Sequence, residues 1–108
     1  MESIVEITMQ PSYRGGYINI PKKWWDLFPA TTTELELKAE PMGVIHTQFY
    51  VESSPGSHHG FSTNLRPWFN AHPEPELKAG DTLIIKVWES GSGKEYRLLS
   101  PKEQKEVI

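Results

Sequence analysis

The sequence predicts a small, mainly β (α+β) domain that closes as a mixed barrel. Three observations point there. Nine Pro and eight Gly among 108 residues imply many turns and short elements, which favours strands over a helical bundle. Several runs alternate apolar and polar residues with the period of a half-buried strand. Those runs follow one another too closely for helix-bridged parallel crossovers. A barrel is the natural closure because it leaves few open edges, and four Trp, four Tyr and four Phe give a compact core its bulk.

In chain order, Ile4–Met9 reads as a strand with Val5, Ile7 and Met9 on one face. Gln10-Pro11-Ser12 ends it, and Tyr13-Arg14-Gly15-Gly16 reads as a flexible link before a second short strand, Tyr17–Ile20. Pro21 can open a helix, since its missing N–H would be unpaired in a first turn anyway. Lys22–Phe28 then carries Trp24, Leu27 and Phe28 at helical spacing, with Trp25 off that face and expected at the surface. Pro29 stops the helix. Thr33–Ala39 alternates strictly, Leu35, Leu37 and Ala39 against Glu34, Glu36 and Lys38. Pro41-Met42-Gly43 turns the chain into the β-branched and aromatic strand Val44–Val51, so a hairpin is expected.

Ser53–Gly60 reads as a polar loop. Ser62, Thr63 or Asn64 can cap a helix over Leu65–Asn70, whose Leu65, Trp68 and Phe69 share a face and whose Pro67 is tolerated in the first turn. Asp81 opens a strand to Glu89, Ser90–Gly93 makes a hairpin, and Glu95–Leu99 returns. Pro101 is read as the end of order. The expected organisation is one domain over residues 1–100 and a loose or briefly helical tail over 101–108.

The formal charge is −3, unlike most nucleic-acid binders, but its distribution is uneven. No acid occurs from Ile7 to Trp25 or from Ser53 to Pro73, and these stretches carry Arg14, Lys22, Lys23, His58, His59, Arg66 and His72. The distribution points to a polarised surface with one neutral-to-positive face; the competing reading is chance, since short acid-free windows occur in any chain. Cysteine is absent, which removes disulfide and thiolate chemistry and fits a reducing cytoplasm. Met1 leads straight into an alternating segment, so no signal peptide is read, and no apolar run reaches the roughly 18 residues of a membrane helix. The expected setting is cytoplasmic, with no membrane partner.

Catalytic readings are poor. No Gly-x-Ser-x-Gly elbow exists and no phosphate-cradling glycine loop surrounds Gly15-Gly16. Adjacent His58 and His59 point apart on an extended loop and lack further ligands, so neither metal nor cofactor is expected. Glu74-Pro75-Glu76 reads as an exposed acidic turn rather than an acid/base pair. Binding readings are better. Tyr13-Arg14-Gly15-Gly16-Tyr17 sets a guanidinium and two phenols beside unhindered amides, groups that read guanine edges and grip phosphate; the competing reading is a glycine turn with a surface arginine. Ser57, His58, His59, Ser62, Thr63, Asn64 and Arg66 form a second dense donor set, for which the competing reading is a helix cap and a solvated loop.

The ordered set Gly15-Gly16-Tyr17, Pro21-Lys22-Lys23, Phe28-Pro29, Trp68-Phe69, Leu77-Lys78-Ala79-Gly80-Asp81 and Leu83-Ile84-Ile85 resembles the plant B-three DNA-binding domain, including its auxin response factor branch and bacterial restriction-enzyme relatives. The resemblance spans roughly residues 2–100 in pattern order. It implies a seven-stranded open pseudobarrel with two short helices, binding the major groove of duplex DNA with two arms. The first arm would be Ser12, Tyr13, Arg14 and Tyr17 with Asn19 at its edge; the second Ser57, His58, His59, Ser62, Thr63, Asn64 and Arg66. The family often carries paired arginines or lysines where this chain has His58-His59, which implies weaker binding that strengthens as the histidines protonate. The expected function is a non-catalytic, monomeric module for double-stranded DNA, partnered with a nuclease or regulator and serving restriction-modification or transcription regulation. Two alternatives stand beside it: a pseudobarrel that binds protein or ligand instead of DNA, and a swapped-hairpin dimeric regulator, which the stretch from Gly16 to Phe28 also resembles.

Overall fold

The computed structural model describes residues 1–52, 58–91 and 93–107. Its strands are β1 (Glu2–Thr8), β2 (Ile18–Asn19), β3 (Thr33–Ala39), β4 (Val44–Val51), β5 (His59–Phe61), β6 (Thr82–Ser90) and β7 (Gly93–Leu98). They form one sheet in the order β1-β6-β7-β3-β4-β5-β2, curled into a half-barrel. Neighbours are antiparallel except β3 and β7, where Leu37 lies opposite Tyr96 in a parallel pair. The strict alternation of β3 and the β-branched run of β4 produce the expected hairpin, Leu37 opposite Ile45 and Glu36 opposite His46. Their bounds coincide with the sequence reading because alternation registers which residues face the core.

Val5 and Ile7 of β1, Leu37 of β3, Phe49 of β4, Leu83, Ile85 and Val87 of β6, and Leu98 of β7 all point into the core. At its centre Phe28 stacks on Phe49 at 5.1 Å and on Tyr96 at 5.3 Å, while Phe61 meets Phe49 edge-on at 5.3 Å. Offset and edge-to-face pairs of this kind add to plain area burial. Helix α1 (Arg66–Ala71) buries Leu65, Trp68 and Phe69 as their spacing predicts, and the Trp68 Nε1 donates to the Glu40 carbonyl at 2.9 Å.

Several expectations are corrected. The supposed flexible link is a 3-10 helix, Pro11–Gly15, with proline in its first turn and a left-handed Gly16 (φ 104°) closing it. The helix after Pro21 is also 3-10, Lys22–Leu27. Trp25 is half-buried against the core rather than at the surface. The cap of α1 is Leu65 without any side-chain cap bond, so none of Ser62, Thr63 and Asn64 does that job. Of the two forms expected for the tail the helical one is present, so order runs past Pro101: α2 (Pro101–Val107) opens with a reciprocal capping box, Ser100 N–H to Glu103 Oε1 at 2.9 Å and Glu103 N–H to Ser100 Oγ at 3.2 Å. Among the described residues no helix is long and apolar enough to cross a membrane.

Candidate nucleic-acid interface

The two donor-rich stretches meet because β2 pairs with β5. Ile18 lies opposite Phe61 and Asn19 opposite Gly60, and the Ile20 amide donates to the His59 carbonyl at 2.8 Å. Glycine is required at position 60, since a Cβ there would sit 2.1 Å from the Ile18 carbonyl oxygen. A second approach lies at Gly16, where a Cβ would be 3.2 Å from the Arg66 amide nitrogen. The first 3-10 helix, β2, β5 and the start of α1 therefore share one end of the half-barrel.

The residues expected in the first arm divide. Ser12 is exposed. Tyr13 is buried, meets Tyr17 edge-on at 6.2 Å, and donates to the Asn19 carbonyl at 3.4 Å; burial pushes its hydroxyl pKa up against the lowering effect of that bond. Arg14 turns inward. Its Nη1 donates to the carbonyls of Phe69 at 3.0 Å and His72 at 3.2 Å, and its Nη2 to those of His72 and Leu77. The guanidinium thus closes the C-terminal end of α1 and its following loop, where helix carbonyls lack internal partners. Tyr17 and Asn19 are half-buried, the Tyr17 hydroxyl donating to Asn19 Oδ1 at 3.3 Å. Burial, then Tyr13, then the charge of Glu52 push the Tyr17 hydroxyl up, so it stays a donor at neutral pH.

The second arm also divides. Ser57 lies outside the described residues. His58 is exposed, its amide donating to Glu52 Oε2 at 3.3 Å. His59 is half-buried in β5 and stacks on Trp25, ring centroids 3.7 Å apart and planes within 11°; Trp25 Nε1 donates to the Ile20 carbonyl at 2.8 Å. Ser62, Thr63 and Asn64 are stitched to β4. Ser62 Oγ donates to the Gln48 carbonyl at 3.4 Å, the Gln48 amide to Thr63 Oγ1 at 3.1 Å, and Asn64 Nδ2 to the His46 carbonyl at 2.8 Å. Arg66 is exposed at the first turn of α1.

Exposed Lys22 and Lys23 open the second 3-10 helix, Lys23 Nζ lying 5.2 Å from the Trp24 ring centroid. Glu52 brings a carboxylate to the same end. It falls one residue outside the acid-free stretch, so a count along the chain does not register it. The Trp25–His59 stack also escapes sequence reading, since only the β2–β5 pairing brings position 25 to position 59.

A separate open concavity of about 490 Å³ lies over β3 and β4, lined by Glu34, Glu36, His46, Gln48, Thr63 and Asn64. Its two carboxylates suit a phosphate poorly. Among the described residues no group of three or more His, Cys, Asp or Glu side chains is arranged to hold a metal ion. Neither protein-family models nor curated protein sequences match the chain.

Proposed function

We propose that this chain is a non-catalytic duplex-DNA-binding module that presents the β2–β5 end of its half-barrel to a major groove. The observation that carries the reading is the β2–β5 pairing, which sets the two acid-poor stretches side by side. The B-three resemblance supports it independently. Arg66, Lys22, Lys23 and His58 are the exposed donors for phosphate, and Asn19, oriented by Tyr17, is the candidate for a base edge, where an asparagine amide reads adenine. Arg14 and Tyr13 support the surface from beneath. The chemistry on the bound DNA would belong to a partner nuclease or regulator.

The test is enrichment from random duplex pools at low salt, at pH 6 and pH 7.5. Binding should weaken with salt, the slope of log affinity against log salt being near 0.9 per phosphate contact. Arg66→Ala should lower that slope by about one contact. No enrichment at either pH would reject the proposal. Glu52 beside Tyr17 and the net charge of −3 favour a second reading, a protein-binding half-barrel, which that failure would leave standing.

A further inference from the structure

We infer that the outer edge of β1 is a docking site for an extended segment of a partner protein, one that carries Lys or Arg at alternate positions on either side of an apolar residue. β1 is the first strand in the sheet order and has a paired neighbour on one side only, β6. The register shows which groups are left over. Met1 and Glu89 exchange two bonds, Glu89 N–H to the Met1 carbonyl at 2.8 Å and the Met1 amine to the Glu89 carbonyl at 3.0 Å, and Met9 N–H donates to the Asp81 carbonyl at 2.7 Å. Such pairs recur at every second residue of an antiparallel ladder, so Ser3, Val5 and Ile7 between them bond to β6. Glu2, Ile4 and Glu6 aim their N–H and C=O groups the other way, where, among the described residues, no backbone or side-chain group bonds to them. The edge at the far end of the sheet order is β2, only two residues long. β1 runs for seven residues in unbroken register and has none of the proline, lysine or bulge with which proteins blunt an edge.

The side chains say what fits there. Outward along this edge stand Glu2, Ile4 and Glu6, two exposed carboxylates about a half-buried isoleucine, with exposed Trp88 opposite Glu2 extending the apolar ground. Glu2 shares Lys86 of β6 at 3.2 Å; among the described residues no cation pairs with Glu6. An added strand sets a side chain directly opposite each of the three, close enough for opposite charges to stabilise the pair and like charges to oppose it. A second copy of β1 fits badly. Its antiparallel register centred on Ile4 puts Glu2 against Glu6 twice, the one centred on Glu6 puts that residue against its own copy, and the one centred on Val5 leaves the two Glu6 carboxylates on the diagonal. A basic segment with an apolar residue against Ile4 meets none of this opposition. Main-chain bonds then supply affinity, and the glutamates the choice of partner. Neither the edge nor its charge depends on DNA binding.

The test is amide exchange by NMR on the intact chain. In dilute free protein the Ile4 and Glu6 amides should exchange far faster than those of Val5 and Ile7; equal protection would mean that the chain covers its own edge, and would overturn the proposal. A capped peptide with the core Lys-Thr-Val-Thr-Lys, supplied at about ten times its Kd, should slow the Ile4 and Glu6 amides about tenfold. The same peptide N-methylated at its valine and lysines keeps its charge but loses the donors that face β1, and should give no protection. A counterpart with the core Glu-Thr-Val-Thr-Glu should protect less than the lysine peptide, and Glu6→Lys, a change at an exposed position, should reverse the order of the two. Four results would each reject the site: no protection by the lysine peptide, equal protection by the glutamate peptide, an unchanged order in Glu6→Lys, or protection of the concentrated free protein that vanishes on dilution, which makes a second copy the occupant.

Discussion

Arg14 faces inward because the end of α1 offers it carbonyls that nothing else in the helix can satisfy. Its planar fork of donors fits the oxygens of Phe69, His72 and Leu77 together. Arg14→Ala should therefore cost about 2–3 kcal/mol of stability, measured by urea unfolding, because buried acceptors lose a charged donor. If the protein binds DNA, the salt slope of the folded variant should equal that of the wild type; a slope lower by one would make Arg14 a phosphate contact after all. Gly60→Ala places a methyl against the Ile18 carbonyl, and overpacking of this kind costs about 3 kcal/mol. Its midpoint in thermal unfolding should fall well below that of Gly15→Ala, where an added Cβ meets nothing within 4 Å. Neither role is legible in the sequence. Arg14 reads as a surface residue because its partners lie more than fifty positions away, and Gly60 reads as a loop glycine because its obstacle is another strand's backbone.

At the scale of elements, α2 shows what a local signature is worth. Ser100 and Glu103 have the spacing of a capping box, and both reciprocal bonds form. The Arg97 guanidinium adds a bond to Glu103 Oε2 at 2.6 Å, tying α2 to β7. Burial alone would raise the Glu103 carboxyl, but the Ser100 amide, Arg97 and the Ser100 hydroxyl outweigh it and hold it below the usual carboxylate value. A depressed folded pKa means stability present above the ordinary glutamate value and lost as pH falls through the lower one. Acid titration of the α2 amides by NMR should show the helix fraying in that window, and Glu103→Gln should remove the dependence. Ser100→Ala should cost about 1 kcal/mol. The spacing is present in the chain, but Pro101 is ambiguous there, since proline suits a stop and a first helical turn equally. Elsewhere in the chain, Ser62, Thr63 and Asn64 carry the composition of a cap yet bond to β4. Composition marks which groups seek local backbone partners but not which backbone supplies them.

At the scale of the whole molecule, the sheet joins distant parts of the chain. Glu2 lies opposite Trp88 and Leu37 opposite Tyr96 in the parallel pair. Loop closure must precede the reward of such contacts, so folding should take milliseconds to seconds in stopped-flow tryptophan fluorescence; a microsecond phase carrying the full amplitude would contradict this topology. The sequence by itself determined the fold class, the extents of β3 and β4, and the buried faces of β1, β6 and α1. It could do so because pleat and helix impose fixed local periods on which side chains are dry. Only the tertiary structure decided which of the donors in the two arms remain outward. Arg14 and Tyr13 turn in, Ser62 to Asn64 bind β4, His59 stacks on Trp25, and Arg66 stays exposed. A hydrogen bond or a ring stack between remote positions has no period, so nothing in the order of residues announces it.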